Sequence, residues 1–293
     1  MKNFSRLSNL ILLAFFFASC DIIEPPFVET INQIPADEQC LEDAKATDPF
    51  GPSSPAITRK VLFEEMTGHK CGNCPAASET AVSLTEGKYA GQMILVGVHA
   101  GPLSLPDGSG KYETDYRTSA GNELYSELNA FDAVPFGAID RASFGLGAST
   151  WDTKISQRLQ VPPKVGLRIF NCYDADSAAV TTVIDVKFLE AGTNQEYLAV
   201  YLVEDEVIDY QKDYRLADSD IPDYHHHNVL REAINGTWGV PLTTETVNKD
   251  DRFTVSYSFK LSDDYDPAHC RVVAFVHQFD TYEIHNAEIA EIQ

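Results

Sequence analysis

An unbroken apolar run from Met93 to Val98 predicts a strand buried on both faces of a parallel sheet. Ahead of it, residues 60–65 are strand-like, and Ala77, Ala81 and Leu84 share one face of a helix predicted over 75–88. Strand, helix and strand in that order predict a crossover that leaves both strands parallel. A polar stretch from Gly101 to Gly121 reads as an inserted loop, followed by a helix through Tyr125 and Leu128. Phe131 to Arg141 is strand-like but contains Val134-Pro135. Such a proline fits a central strand only as its first residue, with a cis peptide. Trp151 to Leu159 returns to helical spacing.

The remaining pattern differs in kind. Residues 164–173, 181–189, 197–204, 253–261 and 271–279 read as alternating or apolar β runs, with a last short strand over 286–292. Little helix separates them, which predicts an all-β sandwich over 163–293. Asp223 to Ile234 breaks the pattern and is read as a loop entering a short helix. Residues 20–57, rich in proline and acidic side chains, read as a tether with a short ordered piece around Cys40. The resulting division is 1–19, 20–57, 58–162 and 163–293.

The first nineteen residues add an address. Lys2 and Arg6 precede an apolar segment too short to span a bilayer, and Ala18 and Ser19 lead into Cys20. This resembles a lipoprotein signal peptide with cleavage before Cys20 and lipid on its thiol, which anchors the protein to a membrane of the cell envelope. The alternative is an ordinary secretory peptide cleaved elsewhere. The balance of 22 Lys and Arg against 44 Asp and Glu, a net charge of -22, argues against nucleic acid as a partner. Six cysteines in an oxidising compartment leave three after Cys20 and the pair Cys71 and Cys74 are set aside. Cys172 and Cys270 both lie in strand-like runs, so a structural bridge between them is expected, with Cys40 free or the odd partner.

Candidate chemistry centres on Cys71-Gly-Asn-Cys74, where a strand runs into a helix start. Two thiols so spaced can close a disulfide, and the helix N-terminus favours a thiolate at Cys71, the form that attacks disulfides. A second cysteine pair at zinc spacing is missing, so no metal or other cofactor is expected. Three consecutive histidines, His225 to His227, cannot all point at one ion from a regular helix and are read as packing residues with Arg231. His69 and Lys70 place titratable or positive charge beside Cys71; the alternative is that both are solvated loop residues.

Residues 58–162 resemble a thioredoxin fold, on the strength of the Cys-Gly-Asn-Cys helix start and the Val134-Pro-Phe-Gly-Ala-Ile-Asp140 strand. The whole chain resembles the outer membrane protein 28-related lipoprotein family, through Leu62-Phe-Glu-Glu-Met-Thr-Gly68, Cys71-Gly-Asn-Cys-Pro75 and His226-His-Asn-Val-Leu-Arg231. These resemblances imply an α/β thioredoxin-like domain followed by a β-sandwich in an outer membrane lipoprotein. They imply Cys71 as the attacking thiol, Cys74 as the resolving thiol and Pro135 as a cis-proline packed on the disulfide. Val134 would offer backbone groups to an extended substrate chain. Glu65 would accept the proton of the second thiol, or else is a strand-end carboxylate satisfied by solvent or Lys70. The expected function is thiol–disulfide exchange on envelope polypeptides bearing thiols or disulfides, or with a redox partner. The competing reading is a surface binding or adhesion lipoprotein whose Cys71–Cys74 bridge is structural.

Overall fold

The computed structural model describes residues 33–293 except 47, 109 and 129–132. The expected signal peptide, Cys20 and the first part of the expected tether lie outside the described residues. Strands β1 (Val61–Thr67) and β2 (Met93–His99) are buried along their full length and pair in parallel, Val61 opposite Met93 and Thr67 opposite His99. Helix α2 (Cys74–Val82) makes the crossover between them and continues as a wider turn over Ser83–Lys88. Strand β3 (Phe136–Ile139) follows the cis Val134–Pro135 bond and pairs antiparallel with β1. Around this unit lie helix α3 (Ser119–Leu128), strand β4 (Ser143–Leu146) and helix α4 (Ala148–Leu159).

The second half is almost entirely β. It contributes β5 (Val165–Asp174), β6 (Ala179–Phe188), β7 (Glu196–Glu204), β8 (Val207–Lys212), β9 (Asp220–His226) and β10 (Val229–Ala233). The two-residue β11 (Val240–Pro241), β12 (Arg252–Lys260), β13 (Cys270–Gln278) and β14 (Ile284–Glu291) complete it. The fold is therefore mixed α/β with a majority of strand. One large sheet has the order β14-β13-β7-β10-β2-β1-β3-β4, with β11 beside β7, so it passes through both sides of the boundary expected at 162. Strands β12, β6 and β5 form a second sheet, and β8 and β9 a separate hairpin.

Alternation along the strands assigns each side chain to a layer. In β7, Ala199, Tyr201 and Val203 face a core shared with Leu124 and Leu128 of α3, while Leu198, Val200 and Leu202 face a core shared with β5, β6 and β12. In β1, Leu62 and Met66 join the α3 core, and Val61 and Phe63 pack on α2 and α4 through Ala77, Ala81, Trp151 and Ile155.

Two expectations are corrected. Asp223 to Ile234 is not a helix start: it holds most of β9 and all of β10, and β10 fills the gap between β7 and β2. Leu230 is buried in the α3 core, and Val229 lies opposite Gly97 of β2. Gly97 is needed there, because a Cβ at this position would stand 2.7 Å from the His227 carbonyl oxygen. Cys172 pairs with Cys40 rather than Cys270. Cys270 instead opens β13, buried against the small sheet as a free thiol whose pKa burial pushes up to about 12. Within the segment read as a tether with a short ordered piece around Cys40, the chain from Gln33 onward is docked on the small sheet. Helix α1 (Glu38–Lys45) is capped by Asp37, the Asp37 amide donates to Thr181 Oγ1, and the Ile34 amide donates to the Ser258 carbonyl.

A buried ion pair within the first half reaches the second through a hydrogen bond. Glu64 of β1 and Arg141 are both essentially inaccessible; Arg141 Nε and Nη2 reach the carboxylate at 2.9 and 2.6 Å, and Nη2 also donates to Tyr201 of β7 at 2.9 Å. The guanidinium lies 4.9 Å from the Phe275 ring centre. Replacing one partner of such a pair leaves an unpaired buried charge, whereas replacing both leaves none. Arg141→Met is therefore expected to cost roughly 3–5 kcal/mol in urea unfolding, and Glu64→Gln combined with Arg141→Met to recover most of that loss. The Cys40–Cys172 bridge spans 132 residues, and its removal by Cys40→Ala with Cys172→Ala is expected to lower stability by about 2–5 kcal/mol in the same assay.

Candidate functional site

Thr67 ends β1 at the carboxyl edge of the sheet, and the chain turns through Gly68 to Asn73 before α2 begins. The turn is closed by Cys71 N donating to Gly68 O at 2.9 Å and Cys74 N to Cys71 O at 3.1 Å. Pro75 occupies the first turn of α2, where its missing N–H breaks no helical bond. Cys71 and Cys74 form a disulfide with their Cα atoms 5.4 Å apart. Cys71 Sγ lies 3.8 Å from the Val134 carbonyl oxygen, so the cis Val134–Pro135 segment stands against the disulfide. Both cysteines are buried, at 3% and 1% exposure.

Glu65 lies inside, two residues before the end of β1. Its carboxylate accepts from Ser78 Oγ at 2.8 Å, and burial raises its pKa to about 7. Its hydrogen bond is thus to Ser78, one turn after Cys74 on α2, rather than to Lys70. His69 departs from its expected place as a charge beside Cys71. It is 1% exposed, with ring contacts to Tyr112, Tyr116 and His99, and Nε2 is 3.4 Å from the Leu105 carbonyl oxygen. Burial lowers its pKa, so it is neutral at pH 7. Lys70 is half-buried, and its amide donates to Leu103 of the inserted loop. That loop lies beside the motif.

A segment of the second half that carried no signal in the sequence also meets the motif. The β8–β9 hairpin clasps the cysteine turn: Lys212 N donates to His69 O at 2.8 Å and Tyr214 N to Gly72 O at 2.9 Å. Gln211 Nε2 lies 3.3 and 3.1 Å from the carbonyl oxygens of Gly68 and Cys71. Tyr214 packs flat on Gly72, where a Cβ would approach the ring to 2.4 Å. Arg215 adds an exposed ion pair to Glu79 of α2. Four exposed apolar side chains, Leu103, Leu105, Tyr214 and Leu216, stand on the two segments that bracket the motif.

The histidine run splits across separate environments. His226 is buried, His225 pairs with Glu206 at the surface, and His227 Nδ1 lies 3.1 Å from Asp205 Oδ1. Asp205, Glu206 and His227 are the one group among the described residues with three such side chains close together. Asp205 is already held by His227, Arg271 and the Asn228 amide, and these contacts keep its carboxyl well below the usual range.

The family model described as outer membrane protein Omp28 matches residues 122–293. No curated relative matches the chain. Among solved structures, the chain is similar to HBP35 of Porphyromonas gingivalis at 18% identity and a TM-score of 0.60, covering 82% of this chain and 77% of that one. A domain of the outer membrane lipoprotein Omp28 from the same organism is 22% identical, with a TM-score of 0.29, and the match covers 46% of this chain and 93% of that domain. A protein from Agrobacterium tumefaciens is 12% identical, with a TM-score of 0.49 and coverage of 82% and 97%. The likeness to HBP35 is one of fold, whereas the family match extends over more than half of the sequence and takes in the whole β-rich half: the chain belongs to the Omp28 family of outer membrane proteins.

Proposed function

We propose that this lipoprotein carries out thiol–disulfide exchange on polypeptides of the cell envelope, held at the membrane by lipid on Cys20. Residues 58–162 would serve as a thioredoxin-like unit, with the β-rich remainder as a sandwich continuous with its sheet. The observation that carries the reading is the Cys71–Cys74 pair at the start of α2, with Cys71 against the carbonyl of a cis Val-Pro bond. In the exchange, the Cys71 thiolate attacks a substrate disulfide and one substrate thiolate leaves. Cys74 then attacks Cys71 Sγ, its proton passes to the Glu65 carboxylate, and the second substrate thiolate leaves with the electron pair. Val134 backbone groups would pair with the extended substrate. The exposed Leu103, Leu105, Tyr214 and Leu216 provide apolar contact for a polypeptide.

A second reading is favoured by a different observation. Both sulfurs lie under the protein surface, at 3% and 1% residue exposure, as in a bridge that staples a binding or adhesion protein. Insulin reduction in the presence of dithiothreitol separates the two. Under the exchange reading the wild type accelerates precipitation and Cys71→Ala falls to background; equal rates for the two proteins sink it in favour of the staple.

Glu65 supplies a pH signature. Its carboxylate must be ionised to accept the Cys74 proton, so exchange is expected to rise as pH passes through about 7. Glu65→Gln is expected to remove that rise and to slow exchange at pH 8 by roughly 10–100-fold in a stopped-flow assay. The same group has a linked effect on stability. Its folded pKa lies above its unfolded one, so the folded state holds a proton that the unfolded state has lost, and this contribution declines as pH rises from 4.5 to about 7. Urea midpoints across that window are expected to show the decline in the wild type and a flatter line in Glu65→Gln.

A further inference from the structure

Beneath the cysteine turn lies a polar cavity bounded by β1, β2, α2 and the β8–β9 hairpin. Glu65, Ser78, His99 and His226 are among its lining residues, and it has room for a water molecule. His99 is 3% exposed and His226 4%, their ring centres are 5.1 Å apart, and His99 Nδ1 and His226 Nε2 have no hydrogen-bond partner within the protein. Buried polar atoms are nearly always paired, with protein or with ordered water. Two buried imidazoles that each carry an unpaired nitrogen, lining one cavity with a buried carboxylate, therefore mark a site for a small polar ligand.

We propose that this cavity binds one ordered water, held by His99 Nδ1 and His226 Nε2 against the Glu65 carboxylate, and that the two histidines are positioning residues for Cys74 deprotonation. The inference rests on the exchange reading and extends it. When Cys74 gives up its proton, the acceptor is then a hydrated carboxylate rather than an isolated one. Ser78 holds one side of that carboxylate at 2.8 Å, and the water supplies the other. Without the water, the ionised form of Glu65 would face an apolar penalty that Ser78 alone does not offset.

The surroundings disfavour a charge on either imidazole, which leaves each ring able to offer one donor and one acceptor nitrogen. Burial pushes His226 down to about 3 and His99 well below its ordinary value. Asp209 of β8 acts in the opposite direction on His226, but it is engaged by the Tyr116 hydroxyl at 2.7 Å. His69 and His227 oppose a charge on His226, while His69 and Arg231 of β10 oppose one on His99. Tyr224 of β9 contacts the His226 ring edge-on at 4.9 Å.

The test follows the resolving step directly. In the full chain carrying Cys20→Ser, Cys71 is joined to a chromophoric aromatic thiol, and release of that thiol by Cys74 is timed from pH 5 to 10. The bond between Cys71 Sγ and Cys74 Sγ forms, the bond to the aromatic sulfur breaks, and the electron pair leaves with the aromatic thiolate. His226→Phe and His99→Phe keep the ring and remove the nitrogens. Each is expected to move the inflection up by about one unit and so to slow release at pH 7 about fivefold, with the wild-type rate regained at pH 10. His226→Gln, which keeps a polar partner for the water, is expected to restore most of the rate. Combined with Glu65→Gln, the Phe variants are expected to add no further loss, because both act through one carboxylate. Unchanged profiles in the Phe variants, or losses that multiply with Glu65→Gln, would overturn the inference. Absence of thiol release from the wild type at every pH would instead overturn the exchange reading and remove this role with it. Urea midpoints of each variant separate lost folding from lost resolution: slow release by a variant that retains the wild-type midpoint supports the inference, and slow release confined to variants with a lowered midpoint counts against it.

Discussion

The free edge of β2 has to be covered. A fully buried parallel strand presents a row of backbone donors and acceptors, and leaving them unpaired inside the protein costs more than almost any side-chain defect. On one side β1 pairs with β2 along its whole length; on the other, β10 arrives from more than a hundred residues later and pairs with it at Gly97. Gly97 is the local concession to this arrangement, since the chain entering β10 passes too close for a side chain. Because β9 leads directly into β10, this docking also fixes where the β8–β9 hairpin falls, which is across the cysteine turn. The cover over the motif is thus a consequence of how the sheet is completed.

The same joint carries buried charge. Glu64 and Arg141 come from the first half and Tyr201 from the second, and they meet between layers that are otherwise apolar. Arg59, Asp140 and Arg158 form another ion group at the same seam, where Arg158 also reaches Glu283 and the Arg59 guanidinium donates to the His285 carbonyl. Desolvated charges of this kind add little net stability but tolerate few alternative partners. They favour one way of docking the halves, and with it one placement of the hairpin against Gly68 to Gly72.

Local features were legible in the sequence and long-range ones were not. The apolar run at Met93, the helix behind Cys74 and the proline after Val134 are set by neighbours a few residues away, and each appears where its pattern predicts it. The segment from Asp223 to Ile234 misleads because three histidines and an Arg-Glu pair hide the strand character of Val229 and Leu230. What makes it a strand is the vacant place beside β2, a fact of tertiary structure. Cysteine pairing is of the same sort: Cys40 finds Cys172 because α1 lies over the small sheet, and spacing alone cannot reveal it. The glycine within an apolar strand was the readable hint of a close backbone approach at Gly97. Likewise, the inward turn of His69 depends on Tyr112 and Tyr116, which lie in a loop with no regular pattern of its own.

The strand order has a bearing on how the chain is made. During synthesis and export the N-terminal half emerges first, and β2 carries an open edge until residues 229–233 arrive to close it. Long-range pairing of this kind is slow to form and exposes aggregation-prone surface while it waits. Until residues 207–226 arrive, the cysteine turn also has no hairpin above it. Before the hairpin docks, the two cysteines are therefore more accessible than in the finished protein, where their disulfide is buried.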